Sequence, residues 1–125
     1  MGKYTPQPEE AKLVNKVWGC EQIVINRDFC FKIMYVLPHA RSSIHKHAKK
    51  DELFYVLKGP ILFEVGKNIR RRREIVAHEG TIIHVPPNTW HRFTNFGSGV
   101  TQFLEASTHD DPNDSRRATK STRNF

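Results

Sequence analysis

Only two cysteines, Cys20 and Cys30, occur in 125 residues. That number excludes a disulfide framework, so apolar packing has to hold the fold. No apolar run approaches the roughly 20 residues that a membrane span needs. No secretory leader is visible either, because the opening MGKYTPQPEE is polar and contains prolines. The initial Met-Gly is followed by Thr5, Pro6 and Gln7, which fit a myristoylation pattern poorly. These absences read as an intracellular, cytoplasmic protein with free thiols. Helical periodicity is missing as well. Between residues 18 and 108 no amphipathic helix can be drawn, and only residues 9–16 or the tail leave room for one.

Acidic residues are fewer than basic ones, 13 against 20, for a net charge of +7. Much of the excess sits in Arg70–Arg73 and in a tail holding Arg116, Arg117, Lys120 and Arg123. A nucleic-acid surface would interleave aromatic residues with basic ones, and the Arg70–Arg73 run has none, so nucleic acid is not the expected partner. The run reads first as a solvated β-edge whose like charges discourage pairing, and second as a grip for phosphate.

What is present is strand after strand. EQIVIN (21–26) and FCFKIMYVL (29–37) are rich in β-branched and aromatic residues, with NRD as the turn between them. ELFYVLKG (52–59), ILFEVG (61–66), the return from KNIRRRREIV (67–76), TIIHVPP (81–87), TWHRFTNFG (89–97) and GVTQFLEAST (99–108) follow at regular intervals. Short strands so spaced predict an all-β sandwich or closed barrel. The expected division is a flexible lead-in over 1–15, a barrel over 16–108 and a polar tail over 109–125. A single domain of this size buries a modest share of its surface, so a homodimer is expected.

His45 and His47 stand one residue apart, so on a strand both imidazoles project from the same face. Glu52 follows after a short polar connection, and His91 lies far along the chain. Two His, a carboxylate and a distant third His are a standard donor set for one divalent ion, with coordination positions left open. Imidazole and carboxylate accept Mn, Fe, Zn, Ni or Co.

The spacing is also that of a known family. His45-Lys46-His47, four residues, Glu52, six residues and Gly59 resemble the first cupin motif. Gly80, five residues, Pro86-Pro87-Asn88, two residues, His91, three residues and Asn95 resemble the second. The chain departs from the pattern at His39 and at Asn88, where the family has Gly. Asn tolerates φ > 0 better than most residues, so Asn88 can fill the turn. The resemblance implies a cupin double-stranded β-helix, a jelly-roll barrel.

Within cupins, KVWGCE (16–21), KDELFYVLKG (50–59), VPPNTWHRF (85–93) and LEASTHDDPNDSRR (104–117) are similar to the mannose-6-phosphate isomerase-like and lyxose isomerase-like branch. That resemblance implies a metal-dependent aldose–ketose isomerase of a sugar or sugar phosphate, working by enediol proton transfer. The same donor set also serves metal-dependent oxygenases and decarboxylases, and non-catalytic modules that bind a sugar or another small ligand.

For the isomerase, Glu105 is the first candidate base, in phase with Thr101 and Phe103 on the last strand. Lys32 is the second catalytic candidate; it interrupts FCFKIMYVL in phase with Met34 and Val36, where an unpaired ammonium would be costly. Tyr55 and Tyr35 are candidate substrate-binding residues. Arg92 alternates with His91 and should face away from the metal. His84 is expected on the opposite face or in the core, and His39 and His78 sit at turns.

Overall fold

A computed structural model describes residues 10–125. It contains thirteen strands: β1 Lys12–Lys16, β2 Gly19–Asn26, β3 Phe29–Val36, β4 Ala40–Arg41, β5 His45–His47, β6 Glu52–Lys58, β7 Ile61–Gly66, β8 Arg73–Ala77, β9 Ile82–Val85, β10 Trp90–Asn95, β11 Thr101–Thr108, β12 Ser115–Arg117 and β13 Thr122–Arg123. A 3₁₀ turn, Pro112–Asp114, precedes β12, and no α-helix occurs among the described residues.

The strands form two antiparallel sheets. One has the order β1-β2-β3-β11-β6-β9. In the other, β10 pairs with β7 along one side and with β5 and β4 along the other, and β8 extends the sheet beyond β7. This is the all-β jelly-roll barrel expected from the strand spacing and the motifs.

Strict alternation builds the interior. On β3 the side chains of Cys30, Lys32, Met34 and Val36 are buried while Phe29, Phe31, Ile33 and Tyr35 face outward. On β11 the buried set is Thr101, Phe103 and Glu105. The register pairs Phe103 with Met34 and Glu105 with Lys32, so the barrel has an apolar end and a charged end. At the apolar end Phe103 meets Phe54, Phe63 and Phe93 edge-on, at ring-centroid distances of 5.0–5.2 Å. Trp18 closes the packing, edge-on to Phe93 at 4.9 Å.

Both departures from the family's glycines fall where the backbone turns left-handed. His39 has φ 53° and Asn88 has φ 58°. His, Asn and Asp are the non-glycine residues that enter this region most readily, which is why the substitutions are tolerated.

The chain ends differ from the sequence expectation. Residues 12–16, read as lead-in or possible helix, form β1 and pair with β2 along their whole length. The remainder of the lead-in, residues 1–9, lies outside the described residues. The tail is part of the sheet: β12 pairs with β5 and β13 with β4, so residues 115–123 run back along the strands that open the first motif. Both additions are short and largely polar, and their stability comes from partner strands far away in sequence.

Candidate metal centre

His45 and His91 are directly opposite each other in the β5–β10 pair. Their rings lie 4.2 Å apart between centroids, and His47 lies 5.4 Å from His45 and 5.6 Å from His91. One nitrogen from each His falls within 4.8 Å of the others, a grouping that could hold a metal ion. Glu52 opens β6 on the facing sheet and brings its Oε2 to 3.2 Å from His91 Nε2 and 3.9 Å from His47 Nε2.

Second contacts set the tautomers. Nδ1 of His91 donates to the Thr89 carbonyl at 2.9 Å, and Nδ1 of His45 donates to the Ser43 carbonyl at 2.9 Å. Each bond leaves Nε2 with a free lone pair, the arrangement that metal-binding imidazoles adopt. Burial, then the neighbouring His91, pushes the His45 imidazole well below its ordinary value, and burial lowers that of His47 to about 4. Both are therefore neutral at physiological pH, as ligands must be. Burial opposes ionisation of Glu52, but the Lys50 ammonium 3.0 Å away works against it, and the carboxyl is held well below the usual carboxylate range. His91 Nε2, Glu52 Oε2 and His47 Nδ1 are buried without a hydrogen-bond partner. Buried polar atoms of this kind are costly unless something engages them. The donor set thus fits a divalent cation.

The four residues line a cavity of about 390 Å³ that also takes in Lys32 and Glu105. Glu105 is 2% exposed. Its Oε2 accepts from Lys50 Nζ at 3.2 Å and from Ser107 Oγ at 3.0 Å, and burial raises its carboxyl to about 7. Lys32 is buried but paired, 3.1 Å from Glu21 and 2.6 Å from Asp110. Burial lowers its affinity for a proton, yet Glu105, Glu21 and Asp110 more than compensate and raise it to about 12.

Tyr35 and Tyr55 require a correction. Neither lines the cavity. Tyr35 lies one residue out of phase with Met34 and Val36 on the outer face of the first sheet, where its hydroxyl donates to Gln22 Oε1 at 3.1 Å. Tyr55 alternates with Phe54 and Val56 and is 42% exposed on that same face. Arg92 faces away from the His cluster and binds Glu64, which also holds Arg72 from the arginine run. His84 lies on the outer face against Asp51.

Three charged residues escaped sequence reading. Lys50 is buried, 3.0 Å from Glu52, 3.2 Å from Glu105 and 3.0 Å from Asp110. Glu21 and Asp110 complete the network. The one available signal was the position of Lys50 inside the KDE of the first motif. Asp110 follows the last long strand in a stretch with no periodicity at all.

The Asp110 carboxyl carries a pH prediction. Burial would raise it, but Lys50 and Lys32 lower it from an ordinary 3.8 to about 2. A group depressed in the folded state contributes stability fully above its unfolded value and loses it as pH falls toward the folded value. The contribution is therefore complete above about pH 4 and gone near pH 2; after allowance for partial exposure it is about 1 kcal/mol. Acid unfolding of Asp110→Asn should show the variant less stable at pH 6 and the two proteins converging near pH 2.

A two-sheet barrel with a histidine cluster at its charged end defines a recognisable class of protein. The family described as Cupin domain matches residues 32–107, and the chain belongs to it. A mannose-1-phosphate guanylyltransferase from Sinorhizobium fredii is 27% identical over 92 residues, which is 73% of this chain but 17% of that protein's length. Among solved structures, the capsular polysaccharide assembling protein CapF from Staphylococcus aureus superposes with a TM-score of 0.77 at 16% identity, over 88% of this chain and 33% of its own. Oxalate decarboxylase from Bacillus subtilis gives a TM-score of 0.77 at 16% identity, over 94% of this chain and 33% of its own. A Streptomyces PAC13 variant solved with uridine gives 0.72 at 19% identity, over 96% and 93% of the two chains. At these identities the structural likenesses establish the fold. No helix among the described residues is long and apolar enough to cross a membrane.

Proposed function

We propose that the protein is a metal-dependent aldose–ketose isomerase acting on a sugar or sugar phosphate. The reading is carried by one co-location: the unpartnered donor atoms of His91 and Glu52 open onto the same cavity as a carboxyl, Glu105, raised to about 7. His45, His47, Glu52 and His91 would hold the ion. Around the site the ammoniums of Lys16, Lys32 and Lys50 face the carboxyl groups of Glu21, Glu52, Glu105 and Asp110. The name of the curated relative contains a mannose phosphate, which places hexose phosphates among the substrates to test.

A divalent cation held by His45, His47, Glu52 and His91 would supply Lewis-acid polarisation of the sugar carbonyl. Glu105 takes the proton from the hydroxyl-bearing carbon beside the carbonyl and returns it to the former carbonyl carbon, while the hydroxyl proton passes to the former carbonyl oxygen. Lys50 and Ser107 both engage Oε2, so Oε1 is the oxygen given to the travelling proton. Lys32 keeps its proton at neutral pH, so its part is to donate to substrate oxygens. The homodimer expected from chain length belongs to the same proposal, and sedimentation of the full chain tests it.

Protein stripped with a chelator and reloaded with single divalent metals should convert members of a panel of aldoses and aldose phosphates into ketoses. Absence of ketose with every metal would overturn the reading. Oxygen uptake with iron would point to an oxygenase, and tight sugar binding without turnover to a binding module. Glu105→Gln should lower kcat about 10²- to 10⁴-fold with metal content unchanged. The parental kcat should rise as pH passes about 7, where Glu105 ionises.

A further inference from the structure

The loop between His47 and Glu52 carries a metal-ligand candidate at each end, so its shape sets the distance between them. Thr108 Oγ1 accepts from the Asp51 N–H at 3.0 Å, and the three N–H groups before it are held by one side chain from near the end of the chain. Asp114 Oδ1 accepts from the N–H of Ala48 at 3.0 Å and of Lys49 at 3.1 Å, and Oδ2 accepts from Lys49 at 3.1 Å and Lys50 at 3.0 Å. Three successive N–H groups converging on one carboxylate make an anion-binding concavity, and charge-assisted bonds of this kind are strong. The same segment grips Lys50 twice, its backbone through Asp114 and its ammonium through Asp110 at 3.0 Å. One residue on, Ser115 pairs with His47 and Arg117 with His45. Asp114 does not line the cavity.

We infer that Asp114 is a positioning residue for the metal centre: by fixing the 48–50 backbone it sets His47 and Glu52 at ligating separation. The inference rests on the metal reading above. It implies coupling in both directions. If a docked segment tightens the ion, a bound ion must tighten the segment by the same factor. A carboxylate is required, because an asparagine amide has a single acceptor oxygen and would turn an NH₂ toward N–H donors.

The test uses the full chain stripped of metal and titrated with Co²⁺ alone, followed by visible absorption. Asp114→Ala and Asp114→Asn should weaken Co²⁺ binding about 10- to 100-fold, the usual effect of losing an outer support. In the unsubstituted protein, Co²⁺ should slow amide hydrogen exchange at Ala48, Lys49 and Lys50 and at residues 115–117. A purely structural role would instead lower the unfolding midpoint equally with and without Co²⁺. The exchange experiment decides the matter even if a variant fails to fold. Parental Co²⁺ affinity in both variants, or exchange at these amides unmoved by bound Co²⁺, overturns this inference and leaves the metal centre standing. No Co²⁺ binding by the unsubstituted protein overturns both.

Discussion

His91→Ala is expected to abolish stoichiometric metal binding and with it all but about a thousandth of kcat/KM. His91 is 2% exposed, meets Glu52 at 3.2 Å and has its ring centroid 4.2 Å from that of His45 and 5.6 Å from that of His47. The remaining two imidazoles stand on one strand and Glu52 on the opposite sheet, and among the described residues no fourth histidine joins the cluster. Three protein ligands can bind a cation, but an intact site gains its affinity from pre-arranged geometry. Metal analysis of the purified variant after equilibration with one divalent ion checks the first half, and ketose formation the second. Arg71→Ala, exposed on the loop between β7 and β8, should keep both.

Lys50→Met should destabilise the metal-free protein by about 3–5 kcal/mol. The ammonium is 4% exposed and reaches Glu52, Glu105 and Asp110. Burial penalises its charge, yet Glu105, Glu52 and Asp110 outweigh that penalty and hold its proton well above the usual lysine range. A methionine of similar length fills the volume but leaves the buried carboxyls of Glu52 and Glu105 without their ammonium, beside the half-buried Asp110. Removing one partner of a buried ionic group costs far more than the group contributes as a whole, because the survivors stay desolvated. For a chain of this size the loss corresponds to a fall in Tm of roughly 10–20 °C. A divalent cation restores some of the missing positive charge, so the difference between Lys50→Met and the parent should shrink when both are loaded with metal. Thermal unfolding of the two proteins with and without the ion measures it.

Parity explains both what could be read in the chain and what could not. His45 and His47 share a face because a strand repeats every two residues, and the same rule put Glu105 in phase with Phe103 and Lys32 with Met34. Applied to the tyrosines, it would have excluded them: Tyr35 and Tyr55 each sit one residue off the buried series. Their chemistry suggested sugar contacts, and their register turns them outward. Asn88 is recognisable because few side chains accept φ > 0, and His39 does the same at the other departure from the family's glycines. The Lys50–Asp110–Glu21 network left no such trace. Ion pairs such as Lys32–Asp110 join residues 78 positions apart, and no local pattern announces them. The tail hid for the same reason. Its strands β12 and β13 are too short and polar to be seen alone, and they exist because β5 and β4 offer open edges.

Anomalous diffraction from crystals of the full chain grown with a single divalent metal reports most directly on the donor set. One peak per chain is expected, within coordination distance of nitrogens from His45, His47 and His91 and of a Glu52 carboxylate oxygen. A peak elsewhere, or a well-ordered cluster of these four side chains with no peak among them at saturating metal, would contradict this assignment.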